Sequence, residues 1–198
     1  MPEPAPISFH LALYRYWSEK RGKRVMAARG DIDPAEIPAL LPYISLVHKV
    51  EGKFRFRLVG SEFARQFGRD LTGNVVGSNV SNTRESIAAL EAIGERVFAN
   101  ACPVFATGQH ETKLGAFHHV STLLLPLSDD GRCVNMIILT RVACFASDAK
   151  ASRDWLAGSP FKLGEAADVG DDADLLRRCL DWGRNCLNTH REAQSKLV

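Results

Sequence analysis

Residues Lys53–Gly73, KFRFRLVGSEFARQFGRDLTG, decide the fold. The segment opens with period-two alternation. Phe54, Phe56 and Leu58 fall on one side and Arg55 and Arg57 on the other, the pattern of a strand with one buried face. At Gly60 the period changes. Phe63, Ala64 and Phe67 recur at helical spacing, and Ser61 stands where an N-cap oxygen belongs. Gly68 supplies the stop, and Asp70–Gly73 reads as a turn. A strand therefore feeds directly into a short helix that must fold back over the strand's apolar face. The other elements pair with this strand or cover it.

Upstream, Tyr43–Val50 alternates in the same way. Ile44, Leu46, His48 and Val50 share one face; Tyr43, Ser45, Val47 and Lys49 share the other. Glu51-Gly52-Lys53 is a tight turn, so the two strands form a β-hairpin. Before them, Asp33-Pro34-Ala35-Glu36 carries an N-cap, Pro at N1 and an acid in the first turn, and predicts a short helical turn. Earlier still, Phe9, Leu13, Tyr16 and Trp17 lie at i, i+4, i+7 and i+8, one aromatic stripe on a helix that stops at Gly22. Such a stripe either packs on its own domain or forms a dimer contact, and the sequence leaves both readings open.

Downstream, Asn82 with Glu85 forms a capping-box pattern. A longer helix follows with Ile87, Leu90, Ile93 or Gly94, Val97, Phe98 and Ala101 on one face, ended by Pro103. Strands are expected near Pro103–Gly115 and over Phe117–Leu127 and Cys133–Val142, the last two joined by the turn Ser128-Asp129-Asp130-Gly131. Strands in two blocks with helices between them give an α+β class: an antiparallel sheet with helices on one face. Residues 143–171 are rich in Ala, Ser, Gly and Asp and read as a tether. A final helix from about Asp171 has Leu175, Leu176, Cys179, Leu180, Gly183, Cys186 and Leu187 on its apolar side. The resulting division is an N-terminal amphipathic helix (1–24), a central domain (25–142), and a linker with a C-terminal helix (143–198).

The 198 residues are 45% hydrophobic and 24% charged, the balance of an ordinary globular domain. A net charge of +2 is too weak for the basic face of a nucleic-acid binder. The one basic cluster, Lys20-Arg21-Gly22-Lys23-Arg24, sits at a helix end and complements the macrodipole. Five scattered cysteines with no CxxC argue for free thiols in a reducing cytoplasm. No apolar run approaches a membrane span and the N-terminus lacks a signal-peptide core, so a cytoplasmic location is expected. The sequon Asn79-Val80-Ser81 is then without consequence.

Chemical motifs are sparse. His48 shares its strand face with Ile44, Leu46 and Val50. It is either a polar handle or pH-sensitive group in a cavity, or a core histidine with a local hydrogen bond, the ordinary case. His110, His118, His119, Cys102 and Cys133 match no zinc spacing, and His118 and His119 point to opposite faces of one strand. Cys102 precedes Pro103 with no placed base. No GxSxG, HExxH or phosphate-binding glycine loop is present. The apolar pattern brings Ile44, Leu46, Phe54, Phe56, Leu58, Phe63 and Phe67 together with Leu90, Ile93 and Val97. These residues, with His48, either fill the core or line an apolar cavity with few polar handles.

Five stretches carry a resemblance. Asp31-Ile32-Asp33-Pro34, Leu41-Pro42-Tyr43-Ile44, Arg57-Leu58-Val59-Gly60, Gly68-Arg69-Asp70-Leu71-Thr72-Gly73 and Leu124-Leu125-Pro126-Leu127-Ser128-Asp129-Asp130-Gly131 occur in this order. Over roughly residues 10–142 the chain resembles the stand-alone PAS-like proteins common in alphaproteobacteria. The resemblance implies a five-stranded antiparallel sheet in the order 2-1-5-4-3, with short helices and one long helix around a central cavity. It also implies sensing of a small ligand, cofactor or redox state, or dimerisation and partner contacts. Flavin-photoreceptor PAS domains carry an Asn-Cys-Arg motif before the long helix, and Asn74–Asn82 has no cysteine. Haem-binding PAS domains use a histidine on or beside that helix, and residues 83–101 contain none. Flavin and haem are therefore disfavoured, and no metal or other cofactor is expected beyond an unidentified small apolar ligand.

The reading as a whole is a cytoplasmic, non-enzymatic PAS-type sensory domain that binds a small ligand or a protein partner. It is expected to form a homodimer through Phe9, Leu13, Tyr16 and Trp17 and to signal to a separate protein, with no nucleic acid or membrane among its partners. Two alternatives stand beside it: a small cone-shaped α+β enzyme using His48 and a nearby acid, and a purely structural dimerisation module with a filled core.

Overall fold

A computed structural model describes residues 7–78, 84–111, 117–144 and 161–195. In chain order these form α1 (Ile7–Arg21), β1 (Ala27–Ala28), 3-10 turns at Arg29–Asp31, Pro34–Glu36 and Leu41–Tyr43, then β2 (Ile44–Val50) and β3 (Lys53–Val59). There follow α2 (Ser61–Phe67), α3 (Arg84–Asn100), β4 (Val104–Glu111), β5 (Phe117–Ser128), β6 (Met136–Cys144), β7 (Phe161–Asp168) and α4 (Asp172–Ser195). Asn82 of the expected capping box and the sequon residues Asn79, Val80 and Ser81 lie outside the described residues.

The class is α+β, and the five expected strands lie in the expected order, β3-β2-β6-β5-β4, each antiparallel to its neighbour. Two strands are additional. β1 pairs parallel with the end of β5, and β7 extends the sheet beyond β4. The stretch read as a tether thus contributes an edge strand. Its low apolar content concealed it, because an edge strand is held largely by its backbone ladder and buries few side chains. Among its described side chains, Leu163 and Ala166 pack against the core.

The opening segment behaves as its pattern demands, with one change at the helix start. Gly60 occupies the N-cap position and Ser61 is the first helical residue; Gly68 closes α2 in the left-handed region at φ 69°. Gly60 is required for closeness: a Cβ there would lie 2.3 Å from the Pro42 carbonyl oxygen and 2.6 Å from that of Ile44. The outer edge of β3 is covered by the chain after α2. Gly73 and Val76 donate backbone N–H groups to the Phe56 and Phe54 carbonyls, and Phe56 donates to Asn74.

Helices cover both faces of the sheet, where one covered face was expected. On one side α2 and α3 bury Phe54, Phe56, Phe63, Phe67, Ile93 and Val97 against Val47, Val104, Ala106, Leu124, Ile137 and Leu139. On the other, α1 and α4 bury Leu13, Tyr14 and Trp17 with Leu175, Cys179, Trp182 and Cys186 against Ile44, Leu46, Phe105, Leu123, Leu125 and Ile138.

Leu13 and Trp17, expected at a dimer contact, are 0% and 1% exposed within their own chain, and the Trp17 indole donates to the Pro126 carbonyl at 2.8 Å. Burying two such side chains is worth about 2–3 kcal/mol each, so the sheet claims them. Phe9 stacks on Tyr43 with ring centroids 3.9 Å apart, and the Tyr16 hydroxyl donates to Glu36 Oε2 at 2.7 Å. The α1 stripe is therefore core and its flank. On α4 the buried stripe is narrower than expected: Leu180 is 48% exposed, and Trp182 takes the place assigned to Gly183. Among the described residues no helix is long and apolar enough to cross a membrane.

Candidate ligand-binding site

A cavity of about 80 Å³ lies between the sheet and α3. Its apolar wall is built by Val47 of β2, Phe54 and Phe56 of β3, Phe63 of α2, Leu90 and Ile93 of α3, and Leu124, Ile137 and Leu139 of the central strands. Gly94 faces the Phe54 ring, where a Cβ would approach the ring carbons to 2.7 Å, so the helix can sit against the sheet only as glycine. Lys49 Nζ reaches both carboxylate oxygens of Glu95, at 2.6 and 2.8 Å, and ties β2 to the same helix. One residue further on, α3 is held to β7 by Arg96, which donates to Asp168 at 2.7 Å and to the Ala166 carbonyl at 2.8 Å.

Among the described residues three polar side chains interrupt this lining: Thr107, Thr122 and Arg141. Thr122 and Arg141 are register partners on β5 and β6, so their side chains leave the same face side by side. Arg141 is only 8% exposed, and its guanidinium carbon lies 5.6 Å from the Phe63 ring centroid and 5.9 Å from that of Phe67. The two rings, stacked with centroids 5.1 Å apart, offer their electron-rich faces to the cation. Burial alone lowers the Arg141 pKa to about 10, so the group stays charged at neutral pH inside an apolar enclosure.

The residues expected in the cavity divide. Phe54, Phe56, Phe63, Leu90 and Ile93 line it; Phe67 and Val97 stand directly behind in the same core. Ile44 and Leu46 lie in the core of the opposite face, and Val47 takes their place. Both faces of the sheet are apolar, so alternation along β2 cannot say which parity meets the cavity. Leu58 is 45% exposed. The β2–β3 register shifts between Leu46 and Val47, placing Leu58 opposite Leu46 and Phe56 opposite Val47, and this irregularity turns Leu58 out of the Phe54–Phe56 row.

His48 also lies away from the cavity. Its pKa is lowered by desolvation first and then by Arg57 and Arg55, two cations where an acid–base pair would need a carboxylate. Cys102 is half-shielded, and burial followed by the neighbouring Asp168 carboxylate pushes its thiol up to about 11, far from a reactive thiolate. Among the described residues no group of three or more His, Cys, Asp or Glu is placed to hold a metal ion; the side chains of His110 and His118 lie outside them.

Two polar residues that pattern-reading passed over sit at the heart of the molecule. Arg141 follows Ile137 and Leu139 at period two, and that parity alone marks it as inward-facing. His10 falls at i−3, i−4 and i−7 from Leu13, Tyr14 and Trp17 on α1. It is fully buried, with Nδ1 2.6 Å from Thr140 Oγ1 and Nε2 3.0 Å from Ser121 Oγ. A neutral ring donates at one nitrogen and accepts at the other, and desolvation lowers its pKa to about 3, which keeps it neutral.

A family model described as PAS domain matches residues 7–138. No curated protein matches the sequence. Similar solved structures include VqmA bound to DPO, with TM-score 0.44 and 14% identity over 56% of this chain and 56% of that one. A Vibrio cholerae VqmA–ligand–DNA complex has TM-score 0.43 and 14% identity over 57% and 51% of the two chains. The V. cholerae VqmA dimer without target DNA has TM-score 0.40 and 14% identity over 58% and 52%. The chain thus spans about half the length of these structures. One of these similar structures is a complex with DNA and another is a dimer, so the expectation that excludes nucleic acid from the partners is withdrawn. Low net charge on a domain of this kind does not decide whether the protein carrying it works on DNA.

Proposed function

The chain belongs to the PAS-domain family, and from that premise we propose that it is a sensory domain for a small amphipathic acid, with its short apolar body among the phenylalanines and its carboxylate on Arg141. The observation that carries this reading is the guanidinium buried in an otherwise apolar cavity. A cation enclosed by aromatic and aliphatic side chains suits an anionic group that carries an apolar body. A carboxylate would add paired, charge-assisted hydrogen bonds to it, with the Thr122 hydroxyl beside them. The volume, about 80 Å³, is roughly half that of an apolar cavity that holds benzene, about 150 Å³. The occupant is accordingly short-chained.

The cavity is a receptor and not a reaction centre. Among the described lining residues the polar groups Thr107, Thr122 and Arg141 include no acid–base pair, and an arginine with a pKa of about 10 does not act as a base at neutral pH. Occupancy bears on α3, which carries Leu90, Ile93 and Gly94 in the wall and Arg96 in the clamp on β7. The test is a thermal-shift series with straight-chain carboxylic acids from butanoate to octanoate, and the matching alcohols as controls. Stabilisation by one or more acids and not by the alcohols is expected, reaching about 2.7 kcal/mol at a hundred times Kd. Equal responses to acid and alcohol, or no response to any acid, would refute the reading.

A further inference from the structure

α4 carries two apolar stripes, and the fold uses one of them. Leu175, Cys179, Trp182 and Cys186 recur at i, i+4, i+7 and i+11 and are buried in the core that α4 shares with the sheet. Leu176, Leu180 and Gly183 repeat that spacing one residue later, which turns them about 100° round the helix. Leu176 is 39% and Leu180 48% exposed, and Gly183 is half-buried. A glycine is unfavourable inside a 24-residue helix, but it leaves the ridge bare beside Leu180, where another backbone can come close.

This second stripe is bordered by charges in alternating order: Asp174, Arg177, Asp181 and Arg184. Other charges fasten α4 to the rest of the chain, since Arg15 reaches Asp172 at 2.7 Å and Arg178 reaches Glu165 at 3.2 Å. Among the described residues the ion pairs of Arg177 and Arg184 stay within the helix. Arg177 meets Asp174 at 2.5 Å and Asp181 at 3.7 Å, and Arg184 meets Asp181. Asp174 also accepts the Gly170 N–H at 3.3 Å. Exposed pairs one turn apart add little to the fold, so the row is available to a partner.

The order of these charges selects the occupant. Read backwards, minus-plus-minus-plus becomes plus-minus-plus-minus. A second copy of α4 laid antiparallel about a twofold axis level with Cys179 and Leu180 sets Arg177 against Asp181 and Arg184 against Asp174, in both directions, beside the leucines. Laid parallel, the same row sets like charge against like. A wholly acidic or wholly basic segment would be repelled by half of it. We infer that the outer face of α4 is the contact for a second copy of this chain, joined as an antiparallel helix pair through Leu176 and Leu180 with the alternating charges at its border. The inference does not depend on the acid site at Arg141.

The experiment is sedimentation velocity of the full chain from about 1 to 500 µM, the span in which a contact no larger than one helix face dissociates. The parent is expected to pass from monomer to dimer. Leu180→Ser, Arg177→Glu and Asp181→Arg should each stay monomeric to at least tenfold higher concentration, because the first removes the apolar contact and each of the others sets like charges together in its own dimer. An equimolar mixture of Arg177→Glu and Asp181→Arg should dimerise again, since the two changes oppose each other across the pair. That mixture alters no apolar residue, so it decides the matter even if Leu180→Ser does not fold, and far-UV circular dichroism checks each variant. Arg141→Met should dimerise like the parent whatever its response to acids. The inference is overturned by a parent that stays monomeric, which would leave the face to a different protein. It is equally overturned by a dimer that Leu180→Ser leaves intact, or by a mixture that associates no better than its components.

Discussion

Replacing Arg141 with methionine separates a ligand-recognising group from a structural one, because the two roles predict opposite signs. Desolvation draws the Arg141 pKa from 12.5 to about 10. At about 1.4 kcal/mol for each tenfold change in acidity, holding that charge inside costs on the order of 3 kcal/mol. The faces of Phe63 and Phe67 return about 1–2 kcal/mol. Methionine fills a similar elongated volume with a flexible apolar chain and keeps contact with both rings. Exchanging a buried charge for a packed apolar side chain is often neutral or stabilising by about 1–4 kcal/mol. The ligand-free variant is therefore expected to be at least as stable as the parent. Urea denaturation gives the free energy directly, and differential scanning calorimetry gives Tm. The same variant should lose the stabilisation that short carboxylic acids confer on the parent. A drop in stability of 2 kcal/mol or more without ligand would show that Arg141 is a structural tie, and would refute the account of a charge kept at a cost for recognition.

Further outcomes follow from other residues. His10, neutral in the fold with a pKa near 3 and close to 6.5 when unfolded, makes the unfolded chain the better proton binder between these values. Stability should be complete above pH 6.5 and fall by up to about 1.4 kcal/mol per pH unit below it, with a smaller contribution of the same sign from His48. Urea midpoints at pH 7.5 and 5.5 measure this, and a His10→Gln variant with the same slope as the parent would contradict it. Gly94→Ala gains about 1 kcal/mol of helix propensity but drives a methyl against the Phe54 ring, an overpacking cost of about 1–3 kcal/mol. Its acid response in thermal shift should shrink, and an unaltered response would show that the ring does not bound the site. Native alkylation followed by intact mass should label exposed Cys133 before buried Cys179, whose thiol is pushed up to about 12 by desolvation. Equal labelling rates would argue against the packing of α4 on the sheet.

The strand-to-helix switch at Gly60, the β2–β3 hairpin and the order of strands and helices were legible because each is written in local periodicity. An alternating row of phenylalanines and arginines has one stable arrangement, and Gly68 has one inexpensive conformation at the end of α2. The half of the cavity wall formed by Phe54, Phe56, Phe63, Leu90 and Ile93 was legible for the same reason. The edge strand β7 was not, since its pairing with β4 uses backbone groups that every residue possesses.

By itself the sequence determined the α+β class and the amphipathic stripes, and its resemblance to PAS-like proteins implied the central strand order. Only the tertiary structure decided which surface each stripe meets. The aromatic face of α1 could have closed on another chain as well as on β5 and β6, and burial against the sheet settled it. The parity of β2 could have served either face, and the shift after Leu46 assigned Val47 to the cavity and turned Leu58 to solvent. Local spacing places Arg141 and His10 on inward faces, but it does not say that either group is stripped of water. A charge or hydrogen-bonding group becomes exceptional only when segments distant in sequence remove the water around it, and that removal is a property of packing.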